Sequence, residues 1–269
     1  MKICRFQPLV FEASPSRGGI TTHPDVLLGR VEQNQVRQLD GDLFAGWKPA
    51  EKTWPIEQVK FLPPSVPSKI VCVGRNYREH AAELGNDMPT EPLIFLKPPS
   101  AIIAPEEAIV MPAISKRVDY EGEIAIIIGR PCSQLADTAD VRPYIAGFTC
   151  LNDVTARDLQ KTDGQWTRAK GFDTFCPFGP VLETELDLAA TTIETFVNGQ
   201  KKQSSRASEM IFSVDVIIRW ISRVMTLLPG DVIATGTPSG IGPLASGDLV
   251  EVTVGGVGTL RNRAIASDS

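Results

Sequence analysis

Histidine is scarce in this chain: among its 269 residues only His23 and His80 are histidines. A zinc site with several histidine ligands, or a His-Glu-x-x-His helix, therefore cannot be assembled from this sequence. The five cysteines contain no Cys-x-x-Cys pair, and an odd number at such wide spacing does not indicate a disulfide framework. Any bound metal must rest mainly on oxygen ligands.

An excess of positive charge and a long apolar run are also missing. The net charge of −5 gives no electrostatic footprint for nucleic acid. The densest apolar run, residues 124–128, is far too short to span a bilayer. The first residues, MKICRFQPLVFEASP, lack the apolar segment of a signal peptide. We therefore expect a cytoplasmic protein with neither a nucleic-acid nor a membrane partner.

Two parts of the chain differ in pattern. Residues 1–65 read as short strands, with a strand at 26–31 and a turn at 39–42 that together suggest a small β-meander. Residues 62–68, LPPSVPS, are rich in proline and serine, which suits a boundary because proline removes donors and stiffens the chain. We predict an N-terminal accessory domain at 1–65 and a catalytic domain at 66–269.

Strand patterns dominate the second part. Apolar runs predict strands at 70–73, 93–96, 121–128 and 144–151, while Asn198-Gly199 and Gly255-Gly256 predict two-residue hairpin turns. One segment has a helical stripe: Val214, Ile217, Ile218, Ile221, Val224 and Met225 recur at helical spacing behind Ser213, a candidate N-cap. The predicted fold class is mixed α+β and β-rich, not a doubly wound sheet.

Acidic residues cluster where a predicted strand enters the core. In DYEGEIAIII, strand alternation places Asp119, Glu121 and Glu123 on one face. Carboxylates crowded at a core entrance repel one another and lose hydration, and a hard cation would relieve both costs. Gly122 between them allows close approach of another group. The spacing alone fits a solvated strand end equally well.

Asp153 strengthens the metal interpretation. It follows the apolar run 147–151 directly, and a carboxylate at the end of a buried strand is a common functional position, although it also suits a helix cap. Three carboxylates with room for water and substrate suit Mg²⁺ or Mn²⁺.

Three further features carry candidate chemistry. His80 and Glu83 lie at i, i+3 in a short predicted helix that ends at Gly85, so the carboxylate can orient the imidazole as a general base. A chance surface pair fits the same spacing. Lys170 lies among aromatic residues and suits an anionic substrate, or it is a snorkelling surface lysine. The TGTPSG loop can hold a carboxylate through backbone N–H groups and the Thr237 hydroxyl.

Several segments together resemble the fumarylacetoacetate hydrolase family, in particular its acylpyruvase-like branch. They are VCVGRNYREHAAELG, EPLIFLKPPSAI, DYEGEIAIIIGR, LNDVTARDLQ, WTRAKGFDTFCPFGP and GDVIATGTPSGIG, in the family's order across about residues 66–260. The resemblance implies a β-roll core, a small N-terminal β-rich accessory domain and a homodimer. Many relatives have a histidine where this chain has Tyr120.

The resemblance also implies site residues, position by position. Glu121, Glu123 and Asp153 match the Mg²⁺ or Mn²⁺ ligands. His80, Glu83 and Lys170 match catalytic positions. Arg157, Gln160 and Thr237 match positions that contact the substrate, a small 2-oxo acid.

The implied activity is hydrolysis of a carbon–carbon bond in an acylpyruvate-type 2-oxo acid through an enolate that the metal stabilises. Decarboxylation of oxaloacetate and isomerisation or decarboxylation of a hydroxy-dienoate pass through related enolates, so the motifs do not choose among them. A non-enzymatic, Ca²⁺-stabilised binding module is a third possibility, which leaves the His80–Glu83 pair and Lys170 without a purpose.

Overall fold

The structure, a computed structural model, describes residues 1–11, 20–22, 25–83 and 88–267. Within these ranges the chain forms mostly β-strands with four short α-helices. The first strands are β1 (Lys2–Phe11), β2 (Ile20–Thr22), β3 (Leu27–Glu32), β4 (Gln35–Asp42), β5 (Gly46–Pro55), β6 (Val59–Leu62), β7 (Ile70–Gly74), β8 (Leu93–Lys97), β9 (Ile102–Ile103), β10 (Ala108–Met111) and β11 (Val118–Tyr120). The later strands are β12 (Gly122–Ile128), β13 (Ile145–Asn152), β14 (Thr155–Ala156), β15 (Cys176–Glu183), β16 (Thr192–Val197), β17 (Gln200–Arg206), β18 (Val232–Ala234), β19 (Gly242–Pro243), β20 (Leu249–Val254) and β21 (Gly258–Ala266).

The described helices are few and short. They are α1 (Arg78–Glu83), α2 (Arg157–Asp163), α3 (Thr167–Lys170) and α4 (Val214–Val224), with 3₁₀ turns at Ile56–Gln58, Pro99–Ala101, Arg142–Tyr144 and Ala207–Glu209. In the described part of the chain, no helix is long and apolar enough to cross a membrane. The predicted β-rich mixed α+β class is confirmed.

Three sheets build the molecule. The largest has the order β5-β4-β3-β1-β15-β13-β12-β18-β7-β8, with β2 and β6 paired to β1 and β9 paired to β15. The second has the order β10-β21-β20-β16-β17, and the third is β14-β11-β19. Strand β12 lies inside the largest sheet, antiparallel to both β13 and β18. Its continuous apolar sequence fits this position because a strand covered on both faces needs no polar side.

Strand β12 contributes to two separate apolar cores. Ile124, Ile126 and Ile128 face the core that contains Val252 and other residues of the second sheet. The alternate residues Ala125 and Ile127 face the opposite core, formed with residues of β7, β15 and β18. All five are fully buried, and each large aliphatic side chain stabilises the fold by about 1.5–3 kcal/mol. Strand β12 is therefore held rigidly, together with the carboxylates at its start.

Helix α4 follows the predicted pattern. The Ser213 hydroxyl accepts a hydrogen bond from the backbone N–H of Val216, so Ser213 is the N-cap. Ile217, Ile218 and Ile221 are buried against the same core as Ile124, whereas Val224 at the end of the stripe is exposed. Helix α1 is also present, but Gly85, its predicted end, lies outside the described residues.

The turns agree with the sequence in part. Asn198 and Gly199 both have positive φ and connect β16 to β17 as predicted. The hairpin at Gly255-Gly256 instead has three loop residues, because the N–H of Val257 donates to the carbonyl of Val254. The predicted turn at 39–42 is wrong: these residues end β4. The turn comes next because the Asp42 carboxylate accepts N–H groups from Phe44 and Ala45.

The N-terminal strands join the rest of the molecule through β1. Ile3 pairs with Leu182 of β15, and the N-terminal ammonium forms an ion pair with Glu183. Ile3 and Phe6 are buried in the two large cores. The described residues before position 66 therefore cover apolar surface of the remaining chain.

We propose that residues 1–65 are separable from the part that holds the carboxylates, since every one of those carboxylates lies after residue 65. A chain beginning at Pro67 is expected to fold, with a thermal midpoint lower by on the order of 10 °C because Leu182 and its neighbours lose cover. Circular dichroism melts and Mg²⁺ titration measure both properties. Loss of metal binding in this shortened chain would mean that the two parts share one folding unit.

Candidate active site

Strand pairing brings the three predicted metal carboxylates together. Glu121 lies between β11 and β12, and Glu123 is the second residue of β12. In the register between β12 and β13, Gly122 faces Asn152, and the N–H of Asp153 donates to the carbonyl of Glu121 at 2.8 Å. Carboxylate oxygens of Glu121, Glu123 and Asp153 lie within 4.8 Å of one another, and all three residues are buried. Such a set of hard oxygen donors fits a divalent cation.

Gly122 allows the second sheet to approach the metal carboxylates. A Cβ at this position would lie 2.1 Å from the Thr195 hydroxyl, which is an impossible contact. The Gly122 N–H donates to the Gln203 side chain at 3.0 Å, and the Gly122 carbonyl accepts from the Thr237 hydroxyl at 2.8 Å. The Gln203 amide also donates to the Thr237 hydroxyl at 2.8 Å. The close approach predicted at Gly122 thus fixes the position of Thr237.

Three cations surround the carboxylates. Lys170 Nζ donates to Glu121 at 2.9 Å and to Asp153 at 2.5 Å. Lys97 Nζ donates to the other Asp153 oxygen at 2.6 Å, and Arg157 forms an ion pair with Glu121. All six charged side chains are nearly inaccessible to solvent. Three positive charges therefore face three carboxylates in a region of low dielectric, where unpaired charge is costly.

Glu123 is the carboxylate that fits the added cation best. It accepts a hydrogen bond from the Gly236 N–H at 2.7 Å, but among the described residues no lysine or arginine contacts it. Burial, together with the neighbouring charges of Asp153 and Glu121, raises the pKa of Glu123 well above its usual range. Burial also favours the neutral form of Glu121, but the charges of Lys170 and Arg157 outweigh it and lower the pKa of Glu121. A divalent cation at this point would stabilise the ionised form of Glu123.

Helix α1 places the imidazole of His80 in the same cavity as the three carboxylates. His80 is buried, and its Nδ1 atom lies 3.1 Å from Glu83 Oε2. Glu83 Oε1 accepts the N–H of Gly240 at 3.1 Å, and Glu79 accepts the Ser239 hydroxyl at 3.0 Å. The helix is therefore fastened to the 238–240 segment through two carboxylates, one of which also holds the imidazole.

Tyr120 also binds the 238–240 segment to which α1 is attached. Its hydroxyl donates to the carbonyl of Gly240 at 2.9 Å, on the same residue whose N–H reaches Glu83. Burial, with the charges of Asp119 and Glu83 nearby, raises the pKa of Tyr120 to about 12. The hydroxyl is therefore a stable donor at neutral pH, and Tyr120 acts here on the α1 attachment.

The carboxylates and the imidazole open into one cavity of about 250 Å³. Its lining residues are Val73, Gly74, Arg75, His80, Phe95, Glu121, Glu123, Asp153, Arg157, Gln160, Lys161, Trp166, Lys170 and Thr237. This volume suits a small organic acid, and the lining combines aromatic side chains with a few polar groups, as ligand sites do.

Residues 69–265 match the model of the fumarylacetoacetate (FAA) hydrolase C-terminal family. The chain belongs to the fumarylacetoacetate hydrolase family. Residues 20–64 separately match a family described as Rv2993c-like, N-terminal. The family core and a small N-terminal β-rich part are thus both present, as the resemblance implied.

Several relatives in the fumarylacetoacetate hydrolase family are similar over most of the chain. The mitochondrial oxaloacetate tautomerase Fahd2a of Rattus norvegicus is 41% identical over 223 residues, covering 78% of this chain and 71% of the relative. A 5-carboxymethyl-2-hydroxymuconate delta-isomerase structure from Mycobacterium smegmatis has a TM-score of 0.86 at 42% identity, covering 99% and 100%. A 2-hydroxyhepta-2,4-diene-1,7-dioate isomerase structure from Mycobacterium marinum has a TM-score of 0.85 at 43% identity, covering 100% of both chains.

The fold places nearly all of the predicted site residues around this cavity. Glu121, Glu123, Asp153, His80, Lys170, Arg157, Gln160 and Thr237 line it, and Glu83 contacts it through His80. Asp119, predicted on the same strand face, lies outside the group of three carboxylates. Its side chain accepts a hydrogen bond from Nε of Arg157 at 3.0 Å. Arg157 in turn donates to Gln160 at 2.6 Å, so the two side chains act as one unit. The roles of these residues stay predictions.

Sequence reasoning missed Lys97. This lysine ends the apolar strand β8 and is buried beneath Asp153, where it also donates to the Val154 carbonyl at 3.1 Å. A lysine that ends an apolar strand immediately before two prolines was the available signal. Asn152 was missed as well: its side-chain oxygen accepts the Glu121 N–H at 2.9 Å.

Lys97→Met is expected to destabilise the metal-free protein by about 3 kcal/mol, because it leaves the buried Asp153 charge without one of its two lysines. The loss should shrink at saturating Mg²⁺, since the cation supplies the missing charge. Chemical denaturation with and without Mg²⁺ measures the difference. Lys69→Met is the matched control: it breaks the ion pair with buried Asp231 outside the cavity, and Mg²⁺ should not change its cost. If Mg²⁺ reduced the loss of stability equally in both variants, the result would contradict a metal site at Asp153.

Proposed function

We propose that this protein is a metal-dependent enzyme that moves a proton on the carbon next to the ketone of a small 2-oxo acid, interconverting keto and enol isomers. The observation that carries the proposal is the buried group of Glu121, Glu123 and Asp153 at the end of a cavity that also contains the His80 imidazole. The proposed metal is Mg²⁺ or Mn²⁺, because every ligand offered is a carboxylate oxygen.

The net charge of the metal-loaded site favours an anionic substrate. When Glu121, Glu123 and Asp153 are all ionised, their three cations balance them, and buried Asp119, which also contacts Arg157, is balanced by Arg117. A bound divalent cation therefore leaves an excess of two positive charges. A 2-oxo acid brings a carboxylate and thereby reduces this excess. When bound by Glu121, Glu123 and Asp153, the cation supplies Lewis acidity that polarises the ketone and stabilises negative charge on its oxygen.

The protein's own groups would hold the substrate carboxylate. Arg157 is fixed by Asp119 and Gln160, which leaves its guanidinium in one orientation. Thr237 is fixed by Gln203 and by the Gly122 carbonyl. We assign Arg157 and Gln160 to carboxylate binding, because prepositioned donors lose little entropy when they bind. Thr237 is assigned to the same end of the substrate, but its hydroxyl proton is donated to the Gly122 carbonyl, so it donates to a substrate only by giving up that bond.

The proton would move through His80. Glu83 holds the imidazole by Nδ1, so the Nε2 atom is the one available to the substrate. In this proposal Nε2 takes the proton from the carbon beside the ketone, and the imidazolium then gives a proton to the former ketone oxygen, which yields the enol; the reverse steps yield the ketone. Lys170, held by Glu121 and Asp153, keeps its charge because those carboxylates outweigh burial and raise its pKa. Its ammonium stabilises negative charge that develops nearby.

The names of the relatives support an isomerisation. One relative at 41% identity is named an oxaloacetate tautomerase, and two structures at 42% and 43% identity are named isomerases of hydroxylated dienoic acids. All three names describe rearrangement within one molecule. Keto–enol proton transfer is the step that such reactions share.

Hydrolysis of a carbon–carbon bond in an acylpyruvate is the second candidate. The contact between buried His80 and Glu83 favours it, since an oriented imidazole can equally take a proton from water. The water would then attack the distal carbonyl, and the bond to the 2-oxo acid fragment would break. Decarboxylation of oxaloacetate would need no such water.

A substrate panel distinguishes these reactions. The metal-loaded protein is incubated with enol-oxaloacetate, a 2-hydroxy-dienoate and acetylpyruvate, and each reaction is followed by ultraviolet absorbance with Mg²⁺ and with Mn²⁺. We expect isomerisation of the first two substrates to be faster than hydrolysis of the third. If only acetylpyruvate is hydrolysed and neither other substrate isomerises, carbon–carbon bond hydrolysis becomes the proposed activity. If no substrate is converted with either metal, both proposed activities are contradicted.

We also propose a homodimer, on the basis of family membership. Light scattering should then give a mass near twice that of the 29.2 kDa chain.

A further inference from the structure

A second cavity, of about 170 Å³, lies beside helix α1 and is lined by residues 77–79, 204–206, 209 and 238–239. Among the described residues, none lines both this second cavity and the cavity of the metal carboxylates. The same two segments nevertheless contribute to both. His80 and Thr237 line the metal cavity, whereas their neighbours Glu79 and Pro238 line the second one. Helix α1 and the 237–239 segment therefore lie between the two cavities.

Tyr77, which lines the second cavity, is a buried residue whose hydroxyl has no partner. Its side chain is nearly inaccessible, and in the part of the chain that the structure describes its phenolic oxygen forms no hydrogen bond. Its backbone is held by a bridge to Met210. Burial, followed by the charges of Glu123 and Glu209, raises the pKa of Tyr77, so the phenol stays a donor at neutral pH. Buried tyrosine hydroxyls usually have a partner, and a ligand in the cavity can supply it here.

Charged side chains of both signs line the second cavity without pairing to one another. Arg78, Arg206 and Glu209 form no hydrogen bond or ion pair within the described ranges. The fourth charged residue, Glu79, accepts the Ser239 hydroxyl at 3.0 Å. Two positive and two negative charges leave the cavity without net charge, so an ion of one sign gains little by entering it. A zwitterion can instead offer a carboxylate to the guanidinium groups and an ammonium to the free carboxylate.

We propose that the second cavity binds a small α-amino acid in its zwitterionic form. The ligand's carboxylate accepts hydrogen bonds from Arg78, Arg206 and the Tyr77 hydroxyl, and its ammonium donates to Glu209. The cavity is smaller than the roughly 300 Å³ at which sites for drug-sized ligands begin, so it fits a molecule with only a few carbon atoms. This site goes beyond the proposed function and does not depend on it.

A bound amino acid acts on the attachment of α1. Arg78 and Glu79 are the first two residues of this helix, and the Ser239 hydroxyl that binds Glu79 lines the same cavity. A ligand held by Arg78 therefore adds contacts to those that already hold the helix, and His80 follows two residues later. A ligand that binds one form of the protein better shifts the population toward that form. The bound amino acid thus stabilises the attached form of α1.

Matched ligands test the site by binding alone. L-Alanine is compared with propanoate, which lacks the ammonium, and with ethylamine, which lacks the carboxylate. L-Serine is compared in the same way with 3-hydroxypropanoate and 2-aminoethanol. NMR titration of the full-length, Mg²⁺-loaded protein gives each dissociation constant. We expect at least one amino acid to bind on the order of 10- to 100-fold more tightly than both of its analogues, the usual scale for charge-assisted hydrogen bonds.

Substitutions in the cavity locate the binding. Glu209→Gln and Arg206→Met should each weaken amino-acid binding by about 10-fold or more, because each removes one charged partner. Tyr77→Phe should also weaken it without loss of stability, since the hydroxyl it removes is buried and unpaired. Glu57→Gln and Arg130→Met are the matched controls. Both residues are exposed and lie outside the second cavity, and Glu57, like Glu209, belongs to a 3₁₀ turn. These two variants should keep the affinity of the native protein.

Hydrogen exchange of the α1 backbone, followed by mass spectrometry, tests the effect on the helix. At a ligand concentration about ten times the dissociation constant, exchange should slow by up to about 10-fold if only the attached form binds the ligand. The same concentration should have no such effect on Glu209→Gln. Equal affinity for the amino acids and their analogues, or an affinity that survives in both Glu209→Gln and Arg206→Met, would overturn the proposed site. Binding that leaves α1 exchange unchanged would overturn the action on α1.

Discussion

Glu123→Gln is expected to reduce turnover of every substrate by at least about 1000-fold, the scale of losing several kcal/mol of charge stabilisation from a cation. The amide keeps an oxygen for the Gly236 N–H but carries no charge. Because Glu123 is buried with no lysine or arginine against it in the described structure, its replacement should leave the metal-free protein equally stable or more stable. The stabilisation that Mg²⁺ gives to the native protein should disappear.

Glu183→Gln is the matched control for this substitution. Glu183 is also a buried carboxylate, but its partner is the N-terminal ammonium, outside the cavity. The variant should lose some stability and keep its Mg²⁺ affinity and activity. Thermal melts across a Mg²⁺ series, together with rates before and after EDTA, measure both properties. Full activity of Glu123→Gln, or of exhaustively chelated native protein, would rule the metal site out.

His80→Ala is expected to slow isomerisation and acylpyruvate hydrolysis by on the order of 100-fold or more, the usual effect of losing a general base. Decarboxylation of oxaloacetate should fall much less, because that reaction needs neither the base nor an attacking water. The ratio of these rates in the variant is the quantity to measure. Undiminished isomerisation and hydrolysis would remove His80 from the mechanism.

Ser239→Ala distinguishes proton transfer from attachment of α1. This substitution removes the hydroxyl that donates to Glu79 and leaves the His80–Glu83 contact in place. If the imidazole acts on the proton, Ser239→Ala should affect all reactions mildly and equally. Equal large losses in all reactions for both variants would instead assign His80 to closure of the cavity.

Local patterns in the sequence predicted those features that depend on neighbouring residues. The alternation around Gly122 placed Glu121 and Glu123 together, the Asn198-Gly199 turn has the predicted form, and Ser213 caps α4. Each of these follows from strand or helix periodicity or from a preferred backbone conformation. Knowledge of distant strand pairing was not needed.

Features that depend on distant pairing were not predictable in this way. Asp153 reaches Glu121 only because β12 and β13 pair in one register. The burial of Lys97 under Asp153 follows from the position of β8 beside β7, and β7 is parallel to β18. The turn predicted at 39–42 was wrong for a local reason, because the Asp42 carboxylate accepts the N–H groups of Phe44 and Ala45 and so places the turn after β4. The sequence motifs also do not distinguish among the reactions, because one site can serve several reactions.

Exchange of the hydrogens beside the ketone with deuterium tests the central claim most directly. Proton NMR in D₂O follows the loss of the C3 signal of 2-oxobutanoate and 2-oxopentanedioate with the Mg²⁺-loaded protein. The account predicts exchange faster than in buffer with Mg²⁺ alone, abolished by EDTA and by Glu123→Gln, and slowed on the order of 100-fold in His80→Ala. Exchange at the buffer rate, in protein that binds the same acids and Mg²⁺, would contradict it.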